Sequence, residues 1–247
     1  MTLTEFFDRH PKAAMGFSGG VDSSYLLYAA AQCGADVRPY FIHSPFQPAF
    51  ELENAKQFAA GLGLALTVLP FDVLTLPEVA ANPPDRCYHC KCALFGLLKA
   101  AAEADGYDLL LDGTNASDDA GDRPGMRALQ ELGVRSPLRE CGLTKDEIRR
   151  RSRQAGLPTW DLPAYACLAT RIPTNEPLTA ELLDRVERAE TALRAMGFTD
   201  FRVRVFHGAA RIQLPAGQLV CAAERRQDLL DALKPLFDPV LLDLTAR

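Results

Sequence analysis

The chain predicts a doubly wound α/β fold built on a parallel sheet, followed by a small C-terminal α+β domain. Three observations carry that prediction. Strand-like and helix-like runs alternate through the first two-thirds of the 247 residues. The strand candidates are near-continuous apolar runs, which strands covered on both faces require. The first of them, Ala13 to Phe17, passes through a glycine pair straight into a helical pattern.

The elements follow in order. Tyr25 to Cys33 reads as an alanine- and leucine-rich helix stopped at Gly34. Val37 to Ile42 is the second strand, and Glu51 to Leu62 a helix with Leu52, Ala55, Phe58 and Ala59 at apolar positions. Leu64 to Leu69 is the third strand. Residues 88–104 form a helix closed near Gly106, and Tyr107 to Leu111 form a strand running into Asp112-Gly113-Thr114-Asn115. That turn lies at a strand's carboxyl end, the edge where open α/β sheets bind ligands. Thr144 and Glu147 make a capping box for the basic helix 145–155. Leu157 to Pro177 breaks the rhythm with four prolines. Beyond it, a helix over Thr179–Met196, strands over Phe201–Phe206 and Ala210–Leu214 joined across Gly208, a helix over Leu219–Leu233 and a strand near Val240 complete an α-β-β-α-β unit. The expected domains are therefore 1–175 and 176–247.

A net charge of -5 argues against a general nucleic-acid or membrane-surface binder. No apolar run approaches the roughly 18 residues of a membrane span, and Met-Thr-Leu-Thr-Glu lacks the basic and apolar regions of a signal peptide. A cytoplasmic protein is expected, with no nucleic-acid or membrane partner. The two open strand edges expected of the small domain suit a homo-oligomer. Seven cysteines without an export signal point to metal, cluster or catalytic chemistry for some and burial for others.

Chemistry concentrates in two places. In Ser18-Gly19-Gly20-Val21-Asp22-Ser23-Ser24, paired glycines let several amide N–H groups converge on one anion, and the following helix N-terminus adds its dipole. Such a loop binds phosphate, and it lacks the Gly-Lys-Ser/Thr ending of a P-loop. A plain structural turn is the bland alternative. The second concentration is Arg86-Cys87-Tyr88-His89-Cys90-Lys91-Cys92, with a distant Cys167. Cys87 and Cys90 lie i, i+3 at a helix start, where dipole and donors favour thiolate. Burial, a zinc site, a redox dithiol and a cluster on Cys87, Cys90 and Cys167 all remain open on spacing alone. Cys92 is ambiguous as a further ligand. Cys33, Cys141 and Cys221 read as structural.

The glycine loop resembles the pyrophosphate loop of the ATP pyrophosphatase family, whose members cleave ATP to AMP and pyrophosphate while adenylating a substrate. Together with Arg86-Cys87-Tyr88-x-Cys90-Lys91, Asp112 to Asn115 with Arg123-Pro124-Gly125, Ser136-Pro137-Leu138, and Thr144-Lys145-x-Glu147, the match becomes specific. The stretch Leu157 to Asp161 through Ala166-Cys167-Leu168 to Arg171-Ile172-Pro173, and Arg202-Val203-Arg204 with Ala210-Arg211-Ile212, extend it. These segments resemble the ATP-dependent sulfur transferases of nickel-pincer nucleotide cofactor synthesis, over about residues 13 to 215. The fold implied is adenine nucleotide alpha hydrolase-like.

That resemblance implies a pyridinium dicarboxylate mononucleotide as substrate, ATP and Mg²⁺ to adenylate its carboxylate, and Cys167 as the attacking thiolate. Sulfur then comes from Cys167 itself or from a 4Fe-4S cluster on Cys87, Cys90 and Cys167. Asp22 is expected to hold Mg²⁺ against the phosphates, Arg171 to stabilise the Cys167 thiolate, and Arg202, Arg204 and Arg211 to clamp the mononucleotide phosphate. Asn115, with Asp118 and Asp119, is expected at the ligand edge, and Glu190 resembles an acidic family position. Thr174, Asn175 and Gln213 depart from the family pattern. The competing readings are a tRNA thiolase, which the acidic balance disfavours, an amide-forming synthetase, which has no use for Cys167, and a nucleotide-binding regulatory module.

Overall fold

Ala13, Ala14 and Met15 are wholly buried, and their side chains face opposite ways. Ala13 and Met15 join a core with Leu26, Leu27 and Ala30, whereas Ala14 packs with Leu98 and Ala102. A strand covered by helices on both faces has no polar side, which explains its unbroken apolar run. The computed structural model describes residues 1–118 and 124–247, so Asp119 and Arg123 lie outside the described residues. The chain forms two compact units, Met1–Val73 with Asp85–Leu162, and Leu74–Pro84 with Pro163–Arg247.

In chain order, α1 (Leu3–Arg9), β1 (Lys12–Gly16), α2 (Val21–Gln32), β2 (Asp36–His43), α3 (Ala49–Gly61) and β3 (Thr67–Pro70) open the first unit. The short α4 (Pro77–Ala80) belongs to the second. The first unit resumes with α5 (Arg86–Ala104), β4 (Leu110–Leu111), α6 (Pro124–Glu131), α7 (Pro137–Glu140) and α8 (Lys145–Gln154). Its four strands are parallel in the order β3-β2-β1-β4. The doubly wound class read from the sequence is thus the one observed. Pro39 is tolerated within β2 because it precedes Tyr40, where the pairing with β3 starts.

Several local details differ from the sequence expectation. The strand expected over Tyr107–Leu111 is shortened to Leu110–Leu111, because the Tyr107 amide closes α5 on the Ala102 carbonyl at 2.8 Å. The Tyr107 hydroxyl also turns to Asp36, at 2.9 Å. The α8 capping box is half made. Thr144 accepts from the Glu147 amide, but the Glu147 carboxylate turns to Arg150 and Arg151. Helix α1, absent from the sequence reading, has a complete capping box between Thr2 and Glu5 and buries Phe6 and Phe7.

The second unit contains α9 (Ala180–Ala195), β5 (Arg202–Phe206), β6 (Ala209–Gln213), α10 (Ala216–Glu224), α11 (Arg226–Leu233) and β7 (Val240–Leu242). Strands β5 and β6 are antiparallel and β7 joins β6 in parallel. The hairpin turns on His207 and Gly208, both at positive φ (50° and 81°), as a two-residue hairpin with right-handed strand twist demands. The single helix expected over Leu219–Leu233 is broken at Arg225, whose guanidinium reaches back to the Met196 carbonyl at 2.7 Å. Among the described residues, no helix is long and apolar enough to cross a membrane.

Candidate active site

Strands β2 and β3 lie on one side of β1 and β4 on the other, so the chain reverses its direction of travel across the sheet between β1 and β4. Open α/β sheets bind ligands at the carboxyl ends flanking such a reversal. The glycine loop follows β1 there, and the Asp112–Asn115 turn follows β4.

The loop's geometry is that of an anion cradle. Gly19 has φ +73°, and a Cβ on it would meet the Ala55 backbone of α3 at 3.3 Å, so both conformation and space demand glycine. Gly20 is the N-cap of α2, with no side-chain cap on the helix's first amides. Those donors, at the positive end of a twelve-residue helix, are what an anion would meet. Val21 and Ser24 are buried, and Ser18 and Ser23 share a hydroxyl contact of 3.1 Å. Gly113 comes close to the same helix end, since a Cβ there would meet the Ser23 nitrogen at 3.1 Å.

Asp22 lies in the first turn of α2. Its Oδ2 accepts from Lys145 Nζ at 2.6 Å, and its Oδ1 is buried with no hydrogen-bond partner. A buried carboxylate oxygen without a donor is costly unless something else satisfies it, and a hard cation such as Mg²⁺ suits an oxygen donor. Lys145 did not emerge from the sequence as a site residue. The signal was available, for a lysine at the first position of a helix opposes the helix dipole. It is placed by a chain of contacts from the β4 turn: Asn115 Oδ1 accepts from the Ser117 amide at 2.7 Å, and Ser117 Oγ accepts from the Lys145 amide at 3.0 Å. Asn115 is buried and shapes this turn, and the Asp118 carboxylate accepts from the Asn115 amide at 2.9 Å.

Cys87 and Cys90 lie one turn apart near the start of α5, Cys87 exposed and Cys90 half-buried. The Arg86 guanidinium, in a largely buried residue, lies 3.5 Å from Cys87 Sγ and sets a fixed positive charge beside it. Cys92 stands about 200° round the helix from Cys90. It faces Tyr88, whose phenol is pushed above its ordinary range by Glu131 first and by Cys92 next. Cys87 and Cys90 thus share a face that Cys92 does not. Within either unit, among the described residues, no three His, Cys, Asp or Glu side chains form a group able to hold a metal ion.

In the second unit, Cys167 precedes a short 3₁₀ turn, Leu168–Arg171. Arg171 is fully buried and donates to Glu190 through Nε (2.7 Å) and Nη2 (3.1 Å). Its Nη1 reaches the carbonyls of Ala166 (3.0 Å) and Cys167 (3.4 Å) and the Thr170 hydroxyl (2.8 Å). Tyr165 donates its hydroxyl to Glu190 at 2.5 Å, and burial, then the Glu190 charge, push this phenol upward, which keeps it a donor. Arg202 is buried and donates to the carbonyls of Phe201 and Ala164. Burial, with Arg171 and Arg247 nearby, pulls it down to about 10, still charged at neutral pH.

Arg204 and Arg211, together with Arg171, line a cavity of about 330 Å³ with Thr170, Glu176, Phe206 and His207. Burial first, then the charges of Arg171 and Arg211, lower Arg204. Gln213, where the family pattern has an acid, accepts from Arg204 at 2.6 Å and donates to Asp243 at 2.9 Å. Of the three arginines expected at a phosphate, Arg204 and Arg211 line a cavity, Arg204 also donating to the Thr170 carbonyl at 2.7 Å, and Arg202 donates to backbone carbonyls.

These features define a class: a doubly wound α/β protein with an anion-receptive glycine loop at its sheet reversal and a thiol-bearing second unit. No family model matches the chain. The chain is 40% identical over 218 residues to an uncharacterized protein of Synechocystis sp., covering 88% of this chain and 81% of that one. It is 31% identical over 210 residues to the pyridinium-3,5-bisthiocarboxylic acid mononucleotide synthase of Lactiplantibacillus plantarum, covering 84% of this chain and 76% of the synthase. An uncharacterized protein of Methanocaldococcus jannaschii is 31% identical over 206 residues, with 83% and 79% covered. The chain belongs to the family of that mononucleotide synthase.

Proposed function

We propose that this chain is an ATP-dependent sulfurtransferase that converts a carboxylate of a pyridinium dicarboxylate mononucleotide to a thiocarboxylate, a step of nickel-pincer cofactor synthesis. The observation that carries the reading is membership of the synthase family in a chain that holds both a glycine anion loop with Asp22 and a loop cysteine, Cys167.

In this reading the glycine loop is of the pyrophosphate type. The amides of Gly20, Val21 and Asp22 cradle the β- and γ-phosphates of ATP, while the Ser18, Ser23 and Ser24 hydroxyls add polar contacts. Asp22 Oδ1 is the natural ligand for Mg²⁺, which when bound neutralises phosphate charge; Lys145 holds the other carboxylate oxygen. A substrate carboxylate oxygen attacks the α-phosphorus and pyrophosphate leaves. Cys167 then attacks the acyl carbon as thiolate, AMP leaves, and a thioester joins protein and substrate. Loss of the Cys167 α-proton, with cleavage of the Cβ–S bond toward sulfur, yields the thiocarboxylate and dehydroalanine. Arg204 and Arg211 take the mononucleotide phosphate.

The family resemblance also implies a second source of sulfur, a 4Fe-4S cluster held by Cys87, Cys90 and Cys167. Thiolates are the donor set such a cluster uses, and Cys87 and Cys90 can supply two of them from one helix face. Such a cluster would supply a transferable sulfide and spare Cys167. Intact mass before and after incubation with ATP, Mg²⁺ and the dicarboxylate tests the proposal. A loss equal to one H₂S identifies sacrifice of Cys167, and unchanged mass with repeated turnovers in anaerobically prepared protein identifies the cluster source. Pyrophosphate release with no thiocarboxylate by either protein preparation would end the proposal.

A further inference from the structure

The strap Ala164–Cys167 has no helix or ladder of its own, yet each of its residues is held by a side chain of the second unit. Arg202 Nη2 donates to the Ala164 carbonyl, and Tyr165 donates to Glu190. Arg171 Nη1 donates to the carbonyls of Ala166 and Cys167. The Cys167 carbonyl also accepts from the Thr170 amide at 3.0 Å and the Thr170 hydroxyl at 2.8 Å. Glu190, on α9, anchors the set, accepting from Arg171 twice, from Tyr165 and from the Val203 amide of β5 at 3.0 Å.

The geometric consequence falls on one atom. Peptide groups are planar, so fixing the Ala166 and Cys167 carbonyls fixes the planes on both sides of the Cys167 Cα. The direction of its Cβ is then determined, and only χ1 separates the backbone from Sγ. The ion pair responsible is 0% and 1% exposed at its two side chains. Such a pair is weak evidence for stability, because well-packed apolar residues often serve as well. Its donors and acceptors are instead directed at the strap.

We infer that Arg171, Glu190 and Arg202 are a positioning frame for the Cys167 thiol, with Tyr165 as the peg that fastens the strap to it. They act through the backbone carbonyls that they hold. The inference rests on the proposed role of Cys167 as the attacking thiol. A thiol held in a near-attack orientation avoids an entropic cost at each turnover, and small displacements of such groups are expensive in rate.

Two variants test it. Tyr165→Phe removes one hydroxyl without unpairing a buried charge. Arg171→Lys keeps the charge but loses the fork that spans Glu190 and the two carbonyls. Thermal unfolding verifies that each is folded, hydrogen exchange at the Thr170 amide reports the strap, and single-turnover thiocarboxylate formation reports the chemistry. Tyr165→Phe should raise exchange and lower the single-turnover rate about tenfold at unchanged KM, and Arg171→Lys should lower the rate about a hundredfold. A full rate in Arg171→Lys would show that charge alone suffices, and a raised KM at unchanged rate would make these residues ligands; either overturns the frame. If Arg171→Lys does not fold, Tyr165→Phe decides by the same criteria. If the wild-type chain forms no thiocarboxylate, the proposed function fails separately, and unchanged exchange in the folded variants overturns the frame by itself.

Discussion

The glycine loop and the thiol strap are both irregular backbone that presents a reactive or binding group, but they are held in opposite ways. The loop is ordered by local rules: a buried strand before it, a helix after it, a glycine at φ +73° between them. The strap is ordered by side chains distant in sequence, with Arg171 paired to Glu190 nineteen positions on and Arg202 reaching back thirty-eight positions to Ala164. A site built from backbone amides needs only the right few residues in order. A site built on a buried ion pair needs a folded unit around it first.

That contrast can be broken by substitution, and the largest effect belongs to the strap. Glu190→Ala leaves Arg171 buried and unpaired, and we expect a loss of about 3–5 kcal/mol in urea unfolding monitored by circular dichroism. A loss near zero would mean that the second unit does not depend on the pair. Gly19→Ala is next. Its Cβ must adopt a left-handed conformation against the Ala55 backbone, so a cost of about 1–2 kcal/mol is expected. ATP affinity measured by calorimetry should fall about tenfold or more through the displaced amides.

Lys145→Met probes the join between loop and turn with a smaller effect. It frees Asp22 Oδ2 while leaving Oδ1 as before, so Mg²⁺-dependent ATP affinity should fall several-fold, by about 1 kcal/mol, with fold stability within about 0.5 kcal/mol. An unchanged affinity would remove Lys145 from the site. The smallest effect is expected at Cys92→Ser. Cys92 faces Tyr88, away from Cys87 and Cys90, so thiocarboxylate formation should match wild type, whereas Cys87→Ser should lower multiple-turnover activity wherever the cluster source operates. Equal loss in both variants would mean that helix position does not separate these thiols.

The same contrast explains what the sequence made legible. The parallel sheet, the glycine loop and the helix bearing Cys87 and Cys90 follow from period, punctuation and capping, all within windows of a dozen residues. Helix α1 was legible too, since Thr2 and Glu5 are a capping box, but its seven residues, with Leu3, Phe6 and Phe7 buried, are too few to display a helical period. Tyr107 looked like a strand residue because its apolar ring suits one, whereas the competing demand came from closing α5. Leu74–Pro84 carries no local sign that it belongs with the second unit. Its Asn82 is held by the carbonyls of Pro173 and Glu176, more than ninety residues away. Arg202 looked like a ligand-binding arginine for the same reason, because a guanidinium that grips phosphate and one that grips carbonyls read alike in sequence.

The central claim is a division of labour, with carboxylate activation at the loop and sulfur delivery at Cys167. Measuring pyrophosphate and thiocarboxylate in the same reaction of the Cys167→Ala variant, with ATP, Mg²⁺ and the dicarboxylate mononucleotide, tests it most directly. The account predicts that pyrophosphate is still released while no thiocarboxylate forms. Thiocarboxylate formed at the wild-type rate would contradict it.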